Sequence, residues 1–241
     1  MTKLGEEKVN SCKVSAVIPA AGQSLRFSGK TPKQFKDIAG QPLLFHTLKP
    51  FLSQSAITEI IVVVPTDWIA TLSTAIKQID FQGKIRLVAG GKRRQDSVFN
   101  GVKATAEDTE IVIIHDAGRP FVTEQMIIDC IVACNNHDGA IVALPARDTV
   151  KDVSTGSHHI NGTIPRETIW LAQTPQAFPK KILIEALRSA HTYNISGTDE
   201  AALVERLGYQ VAVVEGSPHN LKITTLEDWQ YAASILERKD D

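Results

Sequence analysis

Apolar runs of strand length recur along the chain, separated by amphipathic or polar stretches. The first, Val14–Ile18, is interrupted only by the small Ser15, the pattern of a strand covered on both faces in a parallel sheet. Pro42–Gln54 reads as an amphipathic helix, "IIVVVP" (Ile60–Pro65) as a strand, and Asp67–Ile79 as a helix. "IRLVAG" gives a further strand and Asp96–Thr105 a further helix. "IVIIHDAGRP" (Ile111–Pro120) is a second buried strand that breaks into a charged loop. Thr123 can cap a helix running to about Cys134, and "GAIVALP" follows as another strand. This alternation predicts an α/β fold: one Rossmann-like domain with a mainly parallel twisted sheet and helices on both faces.

The alternation breaks at the next segment. Asp148–Val153 and Ile160–Pro165 are short extended stretches around the turn-rich "STGSHH", which predicts a protruding β-hairpin arm over about 148–166. A lone two-stranded hairpin is marginal in water, so the arm is expected to pack against something, with a second subunit as the leading partner. Sheet and helix resume with "IWLAQTPQAF", Lys180–Ala190, Asp199–Leu207, "QVAVVEG" and a short apolar strand ending, "LKIT". A last helix follows Thr225, with Asp228 at capping-box spacing. Repeats, low-complexity tracts and linkers are absent, which predicts a flexible tail over 1–13 and one domain over 14–238.

Composition narrows the functional classes. A formal net charge of −1 over 241 residues argues against a general nucleic-acid or membrane-surface binder, whose affinity needs many uncompensated cations. Three cysteines give no disulfide framework; Cys130 and Cys134 share a helix face without ligand-spaced partners, so packing is their expected role. The first 13 residues lack an apolar signal core, and no apolar run approaches the roughly 20 residues of a membrane span. The cytoplasm is the expected compartment.

Candidate chemistry gathers at the carboxyl ends of the predicted strands, the edge where open α/β sheets bind ligands. The loop after Val14–Ile18 carries the small Ala20, Ala21 and Gly22, then Arg26 and Lys33. Small residues let a ligand lie against the backbone, and main-chain N–H groups with two cations suit a phosphate chain. This is not the dinucleotide fingerprint: with Gly22 as the middle glycine, the outer positions hold Ala20 and Leu25. Asp116 and Arg119 follow the second buried strand. The carboxylate can orient a metal, a ribose hydroxyl or a substrate hydroxyl, and the guanidinium can clamp a phosphate; alternatively the two cap the loop as a pair. In "AGGKRRQDSVFNGV" the cations read as a solvated loop, while the glycine pair and Ser97 suit contact with a flat base. Lys222, inside "LKIT", reads as a phosphate partner or as a lysine whose head snorkels to solvent. "TPQAF" supplies Thr174, and "GTDEA" supplies Thr198 and Asp199. No Ser-His-Asp or Cys-His arrangement stands out, and His158 and His159 fall in the hairpin turn.

The ordered set "PAAGQSLRF…PKQF", "GG…DSV", "HDAGRP", "RDTVK", "TPQAF", "TDEA" and "LKIT" resembles the 2-C-methyl-D-erythritol 4-phosphate cytidylyltransferase family of the non-mevalonate isoprenoid pathway, over about Val14–Leu236. The first motif alone marks only the broad sugar-phosphate nucleotidyltransferase superfamily. The resemblance implies that Ala20, Ala21 and Gly22 line the nucleotide, with Arg26, Lys33 and Lys222 on the CTP phosphates. It implies that Gly91 and Ser97 recognise cytosine and that Asp116 lies near ribose, metal and acceptor. Arg119 and Thr198 would contact the acceptor, and Arg166 would reach the acceptor phosphate from the partner subunit of a homodimer. Mg²⁺ is the implied cofactor, held mainly through the CTP phosphates with Asp116 nearby. Three positions depart from the family pattern: Gly118 replaces the usual alanine, Lys92 a frequent acidic residue, and Leu25 a common second basic residue. A ribitol 5-phosphate cytidylyltransferase is the nearest alternative, and a noncatalytic nucleotide-sensing module an alternative of another class.

Overall fold

Successive residues of a strand face opposite sides of a sheet, and in this chain both sides are buried. The computed structural model describes residues 12–22, 27, 31–77, 79 and 83–238. Arg26, Leu25 and all but the last two residues of the 1–13 tail lie outside the described residues. Strand β1 (Val14–Pro19) sends Val14, Ala16 and Ile18 into one core layer and Val17 into the other. Two short strands, β2 (Asp37–Ile38) and β3 (Gln41–Pro42), pair with each other ahead of α1 (Leu43–Ser53). Then follow β4 (Ile57–Val64), α2 (Ile69–Ile76), β5 (Ile85–Ala89) and α3 (Arg94–Ala104). The alternation continues through β6 (Ile111–Ile114), α4 (Glu124–Ala133) and β7 (Gly139–Pro145). After the hairpin strands β8 (Val150–Val153) and β9 (Ile160–Ile164) come β10 (Trp170–Pro179), α5 (Lys180–Thr192), α6 (Glu200–Glu205), β11 (Val211–Glu215) and α7 (Leu226–Glu237).

Seven of these strands form one sheet in the order β11-β7-β10-β6-β1-β4-β5. Every pairing in it is parallel except those of β10, which runs antiparallel to both β6 and β7. The mainly parallel α/β sheet expected from the alternation is therefore present, with one reversed strand near its middle. One face packs Ile60, Val62 and Ile113 against Leu48, Phe51 and Ile127 of α1 and α4. The other packs Ile61, Val63 and Val112 against Val98, Val102, Leu183 and Leu187 of α3 and α5. Cys130 is buried within the first layer, in keeping with a packing role. A third cluster joins Ile223 to Leu43, Phe121, Ala232 and Leu236, and so ties α7 to the sheet's carboxyl edge.

Several element boundaries shift for local reasons. The segment expected as one helix over Asp67–Ile79 is a 3₁₀ turn at Thr66–Trp68 followed by α2. Helix α3 starts at Arg94, before Asp96, because Asp96 occupies the third helical position and its carboxylate accepts from the Arg93 backbone N–H at 3.1 Å. The expected strand "LKIT" is not a strand: Leu221–Thr224 is irregular. Its main chain bonds to a loop and a side chain instead, since Ile223 N–H donates to Gly118 at 2.8 Å and the Ile223 carbonyl accepts from Lys33 Nζ. The hairpin forms as read, apart from the main sheet, and leaves Val153, Ile160 and Ile164 exposed.

Helix α3 lies close to the sheet through Gly101, where an added Cβ would sit 2.4 Å from Val17 Cγ1 and 2.8 Å from Val63 Cγ2. Both valines are fully buried and stiff at χ1. Overpacking of this kind costs ~1–3 kcal/mol, against about 1 kcal/mol gained from the better helix former. Gly101→Ala is expected to lower the unfolding free energy by up to about 2 kcal/mol in urea denaturation. A variant as stable as the parent would mean that the helix moves off the sheet without cost.

Candidate active site

The carboxyl ends of β1, β5 and β6 open into one pocket of about 640 Å³. Its floor is main chain and small side chains: Ala20, Ala21 and Gly22 after β1, Gly91 after β5, and Ala117 and Gly118 after β6. A Cβ on Gly90 would lie 2.3 Å from the Ala21 Cβ, so the two loops touch through the absence of side chains. Among the described residues, Lys33, Lys92, Arg93, Arg94 and Lys222 line the pocket with a single carboxylate, Asp116. Such a wall favours an anion lying against backbone.

Asp116 organises the charges. Its Oδ2 pairs with Lys222 Nζ at 2.7 Å and its Oδ1 accepts from Arg94 Nε at 3.1 Å. Burial alone would raise this carboxyl, but Arg94 and Lys222 more than offset it and hold it well below the usual carboxylate range. The Arg94 guanidinium also grips Glu200, the first residue of α6, with Nη1 to Oε1 at 2.7 Å and Nη2 to Oε2 at 3.0 Å. Glu200 is almost wholly buried, which pushes its carboxyl up, and Arg94 pulls it back towards the charged form.

The backbone beneath these charges is fixed by neutral hydrogen bonds. The Asp116 N–H donates to Thr174 Oγ1 at 3.0 Å, and Thr174 Oγ1 lies 3.1 Å from His115 Nδ1. His115 Nε2 reaches the Arg119 carbonyl at 3.0 Å. One tautomer satisfies all of this: Nε2–H donates to the carbonyl and Nδ1 accepts from the threonine hydroxyl. The antiparallel β10 is what brings Thr174 beside His115. On the other side of the pocket, Gln34 Nε2 donates to the carbonyls of Ala20 at 2.6 Å and Gly22 at 3.0 Å, which pins the first loop.

Most of the sequence-predicted residues meet here. Ala20, Ala21, Gly22, Lys33, Gly91, Ser97, Asp116 and Lys222 all line the pocket. The Ser97 hydroxyl is engaged within its own turn: it accepts from Gly91 N–H at 3.0 Å and donates to the Arg93 carbonyl at 3.1 Å. Thr198 lines a smaller adjoining cavity of about 170 Å³ that shares Arg93 and Arg94 with the main pocket. Arg119 lines neither; its Nη1 donates to the Asn220 carbonyl at 2.6 Å, and its Nε is buried without a partner. Arg166 also lies off both cavities, exposed in a 3₁₀ turn at the base of the arm, where it donates to the Arg147 carbonyl. The paired reading of Asp116 and Arg119 gives way to pairing of Asp116 with Arg94 and Lys222.

Arg94 corrects the sequence reading. The cations of "GGKRRQDS" were expected in solvent, and Arg93 is indeed exposed, paired with Asp96. Arg94 instead turns inward to two carboxylates. Glu200 and Gln34 carry no chemical signal of their own in the sequence beyond their places in "TDEA" and "PKQF". No three His, Cys, Asp or Glu side chains come together as a metal cage among the described residues. The donor set fits Mg²⁺ in one way, with Asp116 as a single protein carboxylate beside ligand phosphates, an arrangement common for this ion.

A cation-lined pocket walled by backbone, at the carboxyl edge of this sheet, suits a nucleotide's phosphates, and the family match makes the class that of the nucleotidyltransferases. Residues 14–238 match the family described as IspD: 2-C-methyl-D-erythritol 4-phosphate cytidylyltransferase. The 2-C-methyl-D-erythritol 4-phosphate cytidylyltransferase of Syntrophus aciditrophicus (strain SB) is 46% identical over 229 residues, covering 95% of this chain and 97% of that protein. Its counterpart in Geobacter metallireducens is 43% identical, covering 94% of this chain and 98% of that one. The crystal structure of 4-diphosphocytidyl-2C-methyl-D-erythritol synthase from Anaerococcus prevotii DSM 20548 superposes with a TM-score of 0.85 at 30% identity, over 96% of this chain and 99% of that one. The chain belongs to the 2-C-methyl-D-erythritol 4-phosphate cytidylyltransferase family.

The buried His115 gives the site framework a pH signature. Burial pushes its pKa down from 6.5 to about 4. Below pH 6.5 the unfolded chain takes up a proton at His115 that the folded chain refuses, so stability falls with pH until about pH 4. Asp116, whose carboxyl is depressed, contributes stability above the ordinary carboxylate range and loses it only at more acidic pH. Between pH 6.5 and 5 the histidine should cost about 1.5 kcal/mol of unfolding free energy. Denaturant titrations of parent and His115→Gln across this window test it: the histidine's share of the slope should vanish in the variant, and an unchanged slope would refute the assignment.

Proposed function

We infer that this chain transfers a cytidylyl group from CTP to 2-C-methyl-D-erythritol 4-phosphate in isoprenoid biosynthesis, giving 4-diphosphocytidyl-2-C-methyl-D-erythritol and pyrophosphate. The observation that carries the residue-level reading is the gathering of Lys33, Arg94 and Lys222 around Asp116 at the carboxyl edge of the sheet. In this reading the acceptor phosphate, already an anion, attacks the α-phosphorus of CTP and expels pyrophosphate. No covalent intermediate and no strong base are needed. The obstacles are repulsion between anions and charge gathering on the leaving group, and fixed cations with exact positioning of the reactants oppose both. Lys33 and Lys222, with Arg26, take the triphosphate. Asp116 would hold Mg²⁺ alongside the phosphates, and the ion when bound neutralises charge on the departing pyrophosphate.

The base lies against Ala20, Ala21 and the main chain of Gly91. The Ser97 hydroxyl braces that glycine turn from behind. In this reading the slot takes a pyrimidine, with the close approach of Gly90 to Ala21 at its end. Thr198 serves the acceptor side, and Arg119 would join it by giving up the Asn220 carbonyl. With CTP as substrate, the cytoplasm is the compartment proposed; among the described residues no helix is long and apolar enough to cross a membrane. Pyrophosphate release from CTP, measured with methylerythritol phosphate and with ribitol 5-phosphate, tests the reading directly. A preference for ribitol 5-phosphate, or for ATP over CTP, would overturn it.

Lys33→Ala and Lys222→Ala are expected to reduce turnover by about 10²–10³ while changing CTP binding far less, because cations that meet developing charge act mainly in the transition state. Near-normal turnover in both variants would remove the charge-clamp mechanism.

We also propose a homodimer joined through the arm. All of β9 is exposed, and Val153, Ile160, Trp170 and Leu171 present apolar surface on or beside the hairpin. Arg166, at the arm's base and off its own pocket, would then reach the acceptor phosphate of the neighbouring subunit. Mixing inactive Arg166→Ala subunits with inactive Lys33→Ala subunits should restore activity in mixed dimers, which contain one site with both residues intact. No recovery after proven subunit exchange would rule the arm out of the neighbour's site.

A further inference from the structure

The first turn of α3 faces two cavities at once. Gly91 and Ser97 stand on the nucleotide side, while Arg94 and Gln95 turn towards the segment that carries Thr198. Gln95 holds the start of that segment: its Nε2 donates to the Ile195 carbonyl at 3.1 Å and its Oε1 accepts from Gly197 N–H at 3.1 Å. Arg94 holds the end of it through the two-pronged bond to Glu200, and with its remaining Nε–H reaches Asp116. Thr198 itself is exposed, between the two anchors. We propose that Arg94 and Gln95 are positioning residues that fix the Thr198 loop relative to Asp116, and so set the acceptor subsite against the nucleotide pocket. This rests on the reading of Thr198 as an acceptor contact.

The Arg94–Glu200 pair argues for registry rather than for bulk stability. A buried ion pair commonly adds no more stability than well-packed apolar residues, and its best-attested use is to fix one arrangement among several. Glu200 is the buried member, at 1% side-chain exposure, and it opens a helix whose other inward residues, Ala201, Leu203 and Val204, are apolar. Only a planar guanidinium can send two parallel N–H groups to one carboxylate and a third to another; a lysine ammonium cannot span both. The acceptor loop is also tied to β10, since Gln176 bonds Asp199 at 2.8 Å and Ala201 at 3.2 Å. Those bonds orient α6 on the sheet. The bonds from α3 are the ones that connect the loop to the nucleotide side.

Gln95→Ala is the informative variant, because Gln95 is half-buried and touches the loop without sharing the Asp116 charges. Its expected effect is a roughly five- to tenfold rise in the KM for methylerythritol phosphate, the scale of one or two lost neutral hydrogen bonds. The KM for CTP, and CTP affinity measured calorimetrically, should stay within about twofold on the same reasoning. Amide exchange at Gly197 should quicken, a readout that needs no turnover. Gln95→Glu keeps the acceptor for the Gly197 N–H and should recover part of the lost affinity. Arg94→Lys, checked as folded by its melting transition, should raise the same KM and also lower kcat. Unchanged exchange at Gly197, faster exchange with an unchanged acceptor KM, or an equal rise in KM for both substrates would each overturn the proposal. A parent enzyme that binds CTP but leaves methylerythritol phosphate untouched would instead sink the functional reading, and this inference with it.

Discussion

A carboxylate at the end of a central buried strand stays charged only if cations come to it, and Asp116 is in that position. Removing a carboxylate from water costs several kcal/mol unless partners replace the lost hydration. Two cations do so here: Arg94 from the first turn of α3 and Lys222 from the irregular segment after β11. These residues lie 22 and 106 positions from Asp116 in sequence, so the charge requirement draws together parts of the chain that no local pattern connects. Arg94 extends the demand to Glu200, and Lys33 fastens the Lys222 segment by donating to the Ile223 carbonyl. The pocket is thus a consequence of one buried charge and the segments recruited to neutralise it.

The same logic governs the uncharged groups below. A main-chain N–H next to a buried carboxylate has to find an acceptor, and Thr174 provides it only because β10 reverses direction and runs beside β6. His115 completes the chain by accepting from Thr174 and donating to the Arg119 carbonyl, which requires a neutral ring. The polar atoms that fail to find partners sit on the neighbouring seam: Arg119 Nε and Asn220 Oδ1 are buried and unpaired among the described residues. Arg119 nevertheless holds the Asn220 carbonyl, and Asn220 holds Gln173 and Thr174. Fastening the 217–224 segment to β10 therefore leaves two polar atoms unsatisfied while it keeps Lys222 within reach of Asp116.

What the sequence revealed and what it hid follow from the range of each interaction. Layers, buried strands and the reversal into a hairpin arm are written in continuous apolar runs, turn residues and helical patterns, which are local, and they read correctly for Val14–Ile18, Ile111–Ile114 and the arm. The small residues after β1 and the charged turn after β6 were legible as a ligand edge for the same reason. "LKIT" misled because its alternation is that of a strand, whereas its main chain bonds Gly118 and the Lys33 side chain. Arg94 misled because adjacent arginines look alike until the helix register is known. Asp96 at the third helical position fixes Arg93 outside and turns Arg94 in, and only the fold brings Glu200 to meet it. Gln34 left no signal except its place between Lys33 and Phe35, since its task is to hold two carbonyls.

The two cations on Asp116 are not equivalent. Lys222 keeps 42% of its side-chain surface exposed while Asp116 keeps 11%, so the lysine is the partner that water can reach. Its ammonium sits on a flexible four-carbon stem, which leaves the head free to rotate between Asp116 and solvent. Arg94 cannot be released in the same way, because withdrawing it would strand Glu200 as an unpaired charge with 1% exposure. One cation is therefore exchangeable and the other is fixed, and the difference is set by the partner that only Arg94 has. Arg94 is thus the cation that ties Asp116 to the rest of the fold, and Lys222 the one that ties it to the pocket mouth.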